Sequence, residues 1–195
     1  MTWSFMFFFN SVLLGVGLAM DAFSVSMVNG LAEPRMKFGR MSAIAGTFGG
    51  FQILMPLLGW ICVHTIVQLF SKFEVCIPWI ALLLLCYIGG KMLIEGIRGG
   101  EAGEERPAVS LAALMVQGVA TSIDALSVGF TIADYDLTMA LLSAGIIGLV
   151  TYFICMGGLK IGKVAGTKLS GKAAILGGVI LIGIGLEIFI KGVFF

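Results

Sequence analysis

Six apolar stretches, at about 5–29, 41–66, 76–97, 108–132, 138–161 and 173–194, take up most of this 195-residue chain. A helix needs roughly 20 apolar residues to cross the hydrocarbon core of a bilayer, and each stretch is about that long. Only 12% of the residues are charged and 59% are hydrophobic, whereas a soluble domain carries about 25% charged residues. One core in water cannot absorb that much apolar surface, and no stretch is left for a separate soluble domain. The expected fold is therefore all-α and integral to the membrane, with six transmembrane helices. The opening run, MTWSFMFFFNSVLLGVGLAMDAF, lacks a basic start and meets a carboxylate where a cleavage site would fall, so it reads as the first span rather than a signal peptide.

The longest polar run, RGGEAGEERP at 98–107, divides the chain into a three-helix unit (1–100), a linker (101–107) and a second three-helix unit (108–195). Orientation follows from the basic residues. Arg35, Lys37, Arg40, Arg98, Arg106, Lys160, Lys163, Lys168 and Lys172 lie in or beside connections 1–2, 3–4 and 5–6, against Lys72 and Lys191 on the other side. This bias predicts that the three connections face the cytoplasm and that both termini lie outside it.

The halves share a motif. Span 1 reads Met20-Asp21-Ala22-Phe23-Ser24-Val25 and span 4 reads Ile123-Asp124-Ala125-Leu126-Ser127-Val128. Spans 3 and 6, LLCYIGGKMLIEGIRG and VILIGIGLEIFIKG, match more weakly. With three spans per half, the second half enters the membrane upside down relative to the first. Two inverted three-helix repeats, with a site near the midplane where they meet, is a recurring transporter architecture.

A carboxylate at the centre of a span costs about 2.5–3.5 kcal/mol even on a lenient scale, so Asp21 and Asp124 are expected to face a bundle interior or a water-filled cavity. Gln117, Thr121, Asp124, Ser127 and Thr131 recur at helical spacing and predict one polar face on span 4. On span 1, Ser24 lies one turn after Asp21, Gly17 one turn before it and Asn29 two turns after. Carboxylates, hydroxyls and amides suit hard divalent cations such as Mg²⁺, Ca²⁺ or Mn²⁺. Asp21, Asp124, Ser24 and Ser127 are thus the candidate metal ligands, against the alternative that each Asp merely glues helices together. Asn29, Gln52, Glu95, Gln117, Thr121 and Glu187 are candidates for the pathway or its surroundings. Pro56, one turn after Gln52, should kink span 2 and free a carbonyl. Glu95 (flanked by Lys91 and Arg98) and Glu187 (four residues before Lys191) read equally well as local ion pairs. Cys62, Cys76, Cys86 and Cys155 lack metal-site spacing and read as packing residues, and the lone His64 rules out a histidine-built zinc site.

Taken together, DAFSVS and DALSVG, MPLLGW of span 2, GGKMLIEGIRG of span 3 and ILGGVILIGIG of span 6 resemble the bacterial manganese efflux pump family, MntP. The resemblance runs along nearly the whole chain, and the family looks more distantly similar to lysine-exporter-type transporters. It implies a bacterial inner-membrane exporter of Mn²⁺ whose membrane aspartates correspond to Asp21 and Asp124. The metal is then cargo and no cofactor is expected. The implied partners are a divalent cation, protons and the lipid bilayer, not nucleic acid, and the oligomeric state stays open. From the residues alone, another divalent cation (Mg²⁺, Cd²⁺) or a basic amino acid is an alternative cargo.

An enzyme is not expected. An intramembrane aspartyl protease would show GxGD, and neither Leu18-Ala19-Met20-Asp21 nor Thr121-Ser122-Ile123-Asp124 does. No GxxxxGK[ST] is present to bind ATP directly. Export against an interior-negative potential still needs coupling, and proton antiport on the two aspartates is the expected source. A third proton carried on Glu95 or Glu187 would harness the potential as well.

Overall fold

In hydrocarbon a backbone must satisfy its own N–H and C=O groups, so apolar segments become helices and yield only where a side chain or a proline intervenes. The computed structural model describes residues 5–65, 77–97, 109–169 and 173–194, and there the chain is helical apart from short turns. Its elements are α1 (Phe5–Ala32), α2 (Phe38–Thr65), α3 (Ile77–Ile97), α4 (Leu111–Thr121), α5 (Ile123–Thr131), α6 (Leu137–Leu169) and α7 (Ala173–Phe194). Pro34 denies helical geometry to Glu33, which ends α1, and Met36 N–H then donates to Glu33 O at 3.1 Å to close the turn. Ser110 caps α4, its Oγ accepting the Ala113 N–H at 3.2 Å.

Five of the six expected stretches each form one helix close to the expected bounds, with α6 running on to Leu169. The fourth differs. In place of one continuous helix over 108–132, α4 and α5 meet at Ser122 with a 44° bend. Two adjacent hydroxyls explain the break. Thr121 Oγ1 donates to Gln117 O at 2.9 Å and Ser122 Oγ donates to Gly118 O at 2.6 Å. Back-bonding of this kind loosens and bends helices. In the matching positions of α1 stand Leu18 and Ala19, which have no hydroxyl, and α1 passes Asp21 unbroken.

The helices pack in four principal pairings. α1 runs parallel to α6: Ser11 and Ser143 share a hydrogen bond of 3.0 Å, Gly15 lies against Ile147 and Val150, and Gly166 lies against Leu31. α2 runs parallel to α4 and α5, with Gly118 against Phe51 and Gly129 against Gly59. It runs antiparallel to α6, through Ser42–Tyr152 at 2.8 Å and Gly49 against Gly148. α3 and α7 are antiparallel, with Trp79 edge-on to Phe189 and Gly89 against Gly178. Leu85 of α3 and Leu181 of α7 join the apolar core of Ala22, Val25, Phe48 and Leu159. Many large apolar side chains point outward, among them Phe5, Leu83, Tyr87, Leu149 and Phe153.

Among the described residues α1, α2 and α6 are long and apolar enough to cross a membrane, and the bent α4–α5 pair makes a fourth candidate. α3 and α7 contain 21 and 22 residues. At one end of the bundle the connections meet. Arg40 Nε donates to Glu33 at 2.8 Å, Arg40 Nη2 donates to Val109 O at 2.9 Å, and Lys163 Nζ donates to Met36 O at 2.8 Å.

Glycine is required where backbones touch. A Cβ on Gly162 would run into the Met27 carbonyl, whereas one on Gly46 would meet nothing. Gly162→Ala is therefore expected to lower the thermal midpoint of the detergent-solubilised protein. Gly46→Ala should hold or raise it, since alanine favours a helix over glycine by about 1 kcal/mol. Equal midpoints for the two variants would contradict this packing.

Candidate functional site

The duplicated motif places each carboxylate three residues after a carbonyl that one side chain reaches. Gln52, on α2 and only 1% exposed, donates from Nε2 to Leu18 O at 3.1 Å and to Thr121 O at 3.4 Å. Leu18 precedes Asp21 by three residues, and Thr121 precedes Asp124 by three. Both carbonyls only accept, so the nitrogen end of the amide must face them. The break in the fourth span is what leaves the Thr121 carbonyl open. Its usual partner one turn on, the Ala125 N–H, instead donates to Asp124 Oδ1 at 2.8 Å.

Asp21 is half-buried on α1 and Asp124 is exposed at the start of α5. Ser24 Oγ donates to Met20 O at 3.1 Å, within its own helix, and Ser127 is exposed on α5. Of the polar positions expected on one face of span 4, Gln117 and Thr121 are buried while Asp124, Ser127 and Thr131 are exposed. The bend at Ser122 divides the stripe. Asn29 and Gln117 are buried together, and Asn29 Nδ2 donates to Gln117 Oε1 at 2.9 Å, tying α1 to α4. Glu187 is exposed on α7. The side chains of Glu95 and His64, and residues Cys76 and Arg98, lie outside what is described. Cys62 and Cys86 are half-buried, Cys155 is buried, and all three are free thiols.

Among the described residues no three His, Cys, Asp or Glu side chains gather as a metal cluster. Neutral oxygen acceptors lie buried on α2 and α6. Pro56 has no N–H to offer the Gln52 carbonyl one turn earlier, while Gln52 Oε1 and Thr151 Oγ1 are buried side-chain oxygens without a hydrogen-bond partner in the protein. A third, Ser26 Oγ, abuts the Cys155 thiol. Thr151 escapes a reading of single spans, because one threonine in an apolar run looks like packing. The signal that finds it is a match between α2 and α6. At one constant offset, Ala45, Gly46, Gly49 and Gly59 fall on Ala144, Gly145, Gly148 and Gly158, and Gln52 falls on Thr151.

Residues 35–189 match the family described as "Putative manganese efflux pump". The chain belongs to that family. Curated relatives extend the match. A MntP protein of Methanosarcina mazei is 42% identical over 183 residues, covering 94% of this chain and 96% of the relative. One of Clostridium botulinum is 40% identical over 194 residues, covering 92% of each chain. One of Ruminiclostridium cellulolyticum is 38% identical over 185 residues, covering 94% and 96%. Each bears the same description, putative manganese efflux pump. No solved structure matches this chain. Membership of this family, with the long apolar helices, makes the chain a multi-pass membrane protein.

The Asn29–Gln117 pair offers a direct check on the α1–α4 contact. Asn29→Leu alone leaves the Gln117 amide buried without its partner, which costs about 1–3 kcal/mol. The double variant Asn29→Leu/Gln117→Leu should lose less stability than the two single variants summed, as read by thermal denaturation in detergent. Strict additivity would show that the two amides do not meet.

Proposed function

We propose that this chain exports Mn²⁺ across the bacterial inner membrane, holding the ion between Asp21 and Asp124 and exchanging it for protons. The observation that carries the site is the double hydrogen bond of Gln52, which draws together the turns that precede the two aspartates. The cargo rests on family membership, since the family and its relatives are described as manganese efflux pumps. The donors suit a hard divalent ion, with Ser24 and Ser127 one turn beyond each carboxylate. The reading is of a transporter rather than an enzyme.

The architecture behind the proposal is six spans in two inverted repeats. Helix directions support it. Spans that alternate in direction place spans 1 and 5 parallel, 2 and 4 parallel, 2 and 5 antiparallel and 3 and 6 antiparallel, and these are the pairings of α1–α6, α2–α4/α5, α2–α6 and α3–α7. Exchanging the halves maps the first pairing onto the second and each of the others onto itself. The meeting of Glu33, Met36, Arg40, Val109 and Lys163 at one end agrees with a cytoplasmic side set by the basic connections and with both termini outside.

Expelling a divalent ion against about 100 mV costs about 4.6 kcal/mol, twice the roughly 2.3 kcal/mol per charge. In the proposed cycle the carboxylates bind Mn²⁺ from the cytoplasm, take protons outside and release it. They return as neutral acids, which are cheaper to desolvate than bare carboxylates. Two protons per Mn²⁺ is electroneutral; a third on Glu95 or Glu187 would use the potential too.

In manganese-loaded cells lacking their own exporter, the wild type should lower cellular Mn. Asp21→Asn and Asp124→Asn, at equal membrane abundance, should leave it at the level of cells without the protein. Normal export by both variants would remove the aspartates from the site, and a fall in another cation alone would overturn the cargo. In inside-out vesicles, collapsing the proton gradient should abolish Mn²⁺ accumulation; accumulation that persists would rule out proton antiport.

A further inference from the structure

We infer that Gln52 and Thr151 are the neutral oxygen ligands of the same site, one from each half, offered to the cation between Asp21 and Asp124. This rests on the proposed export reading and names what completes its ligand set.

The argument begins with the orientation of the amide. Nε2 of Gln52 spends both its hydrogens on Leu18 O and Thr121 O, so the position of Oε1 is fixed relative to the two turns that precede the aspartates. That oxygen is buried and has no hydrogen-bond partner in the protein. Leaving a buried acceptor unsatisfied costs stability unless something else meets it. A cation does so better than any neutral donor. Pro56 leaves the Gln52 backbone carbonyl without its helical donor as well, so this one residue brings two acceptors to the same level of α2.

Thr151 is its counterpart. The constant offset that superposes the small residues of α2 and α6 also superposes Gln52 and Thr151. Thr151 is fully buried, and its Oγ1 lacks even the backbone partner that Thr121 and Ser122 find one turn earlier. Its place on α6 sets it against the first aspartate's helix. Gly15 of α1 lies against Ile147 and Val150, and Gly158 lies against Phe23 and Ser26. Thr151 shares the face of Ile147, Cys155 and Gly158, so it packs along α1 at the level between Gly15 and Ser26, which includes Asp21. Gln52 on α2 and Thr151 on α6 thus both lie along α1. Two carboxylates and two neutral oxygens form an all-oxygen set of the kind hard divalent ions take.

The test uses Mn²⁺ itself. Purified full-length protein is titrated with Mn²⁺, following the free ion by electron paramagnetic resonance, and transport in proteoliposomes yields KM and kcat separately. Gln52→Leu and Thr151→Val, which nearly preserve side-chain shape, are expected to weaken binding and raise KM by at least the roughly 10- to 100-fold that losing an outer-shell partner costs, with kcat changed less. Thr151→Ser, which keeps the hydroxyl, should restore KM to the wild-type value. Wild-type KM in both Gln52→Leu and Thr151→Val, while Asp21→Asn and Asp124→Asn abolish binding, would overturn this inference and leave the export reading intact. Undiminished binding in the two Asp variants would overturn both. Lowered kcat and membrane yield without a change in binding would assign the pair to packing and refute the ligand role.

Discussion

Backbone meets backbone where α2 crosses α5 and where α1 crosses α6, and the hydrogen bonds between these helices depend on that closeness. Gly59 and Gly129 face each other across the first, and Gly30 and Gly162 lie within the second. Lipid tails are as apolar as leucine, so no hydrophobic force draws helices together inside a bilayer; close packing and interhelical hydrogen bonds must do so. Only at such short range can side chains as small as serine span the gap, as Ser11 does to Ser143. The amides of Asn29, Gln52 and Gln117 reach the neighbouring helix for the same reason. Each bond is worth only about 0.6 kcal/mol on average in a membrane. Their greater effect is on register, because each fixes which turn of one helix lies opposite which turn of the next.

How much of this could be read from the sequence depends on whether a feature is local. Most helix bounds were legible because apolar length is local: α7 spans 173–194 as expected, while α1 and α6 run past the expected 29 and 161 to Ala32 and Leu169. The polar stripe of span 4 was legible by its spacing, but its division was not. Predicting that would have required weighing the back-bonding of Thr121 and Ser122 against continuation of the helix. The Asn29–Gln117 bond joins residues far apart in the chain and depends on which helices are neighbours, which periodicity does not reveal. Thr151 is not legible within its own span; its match to Gln52 needs the offset at which Gly49 of α2 lies against Gly148 of α6.

The shared hexapeptide does not make its two surroundings alike. The aspartate hexapeptides match at four positions of six, yet the residues just before them diverge, Leu18-Ala19 in one half and Thr121-Ser122 in the other. The chemistry of the carboxylate is shared, while the backbone that carries it is not.

That divergence has a mechanical side. Flexing α1 near Ala19 would require breaking helical hydrogen bonds that are intact. Flexing at Ser122, whose φ of −114° and ψ of 9° already lie off the helix, breaks fewer of them, at the cost of straining the Gln52 bond to Thr121 O and the Ser122 N–H bond to Val119 O. The first aspartate therefore rides on a continuous helix and the second just past a break in one. Any change in the spacing of the two carboxylates would disturb the least helix at Ser122.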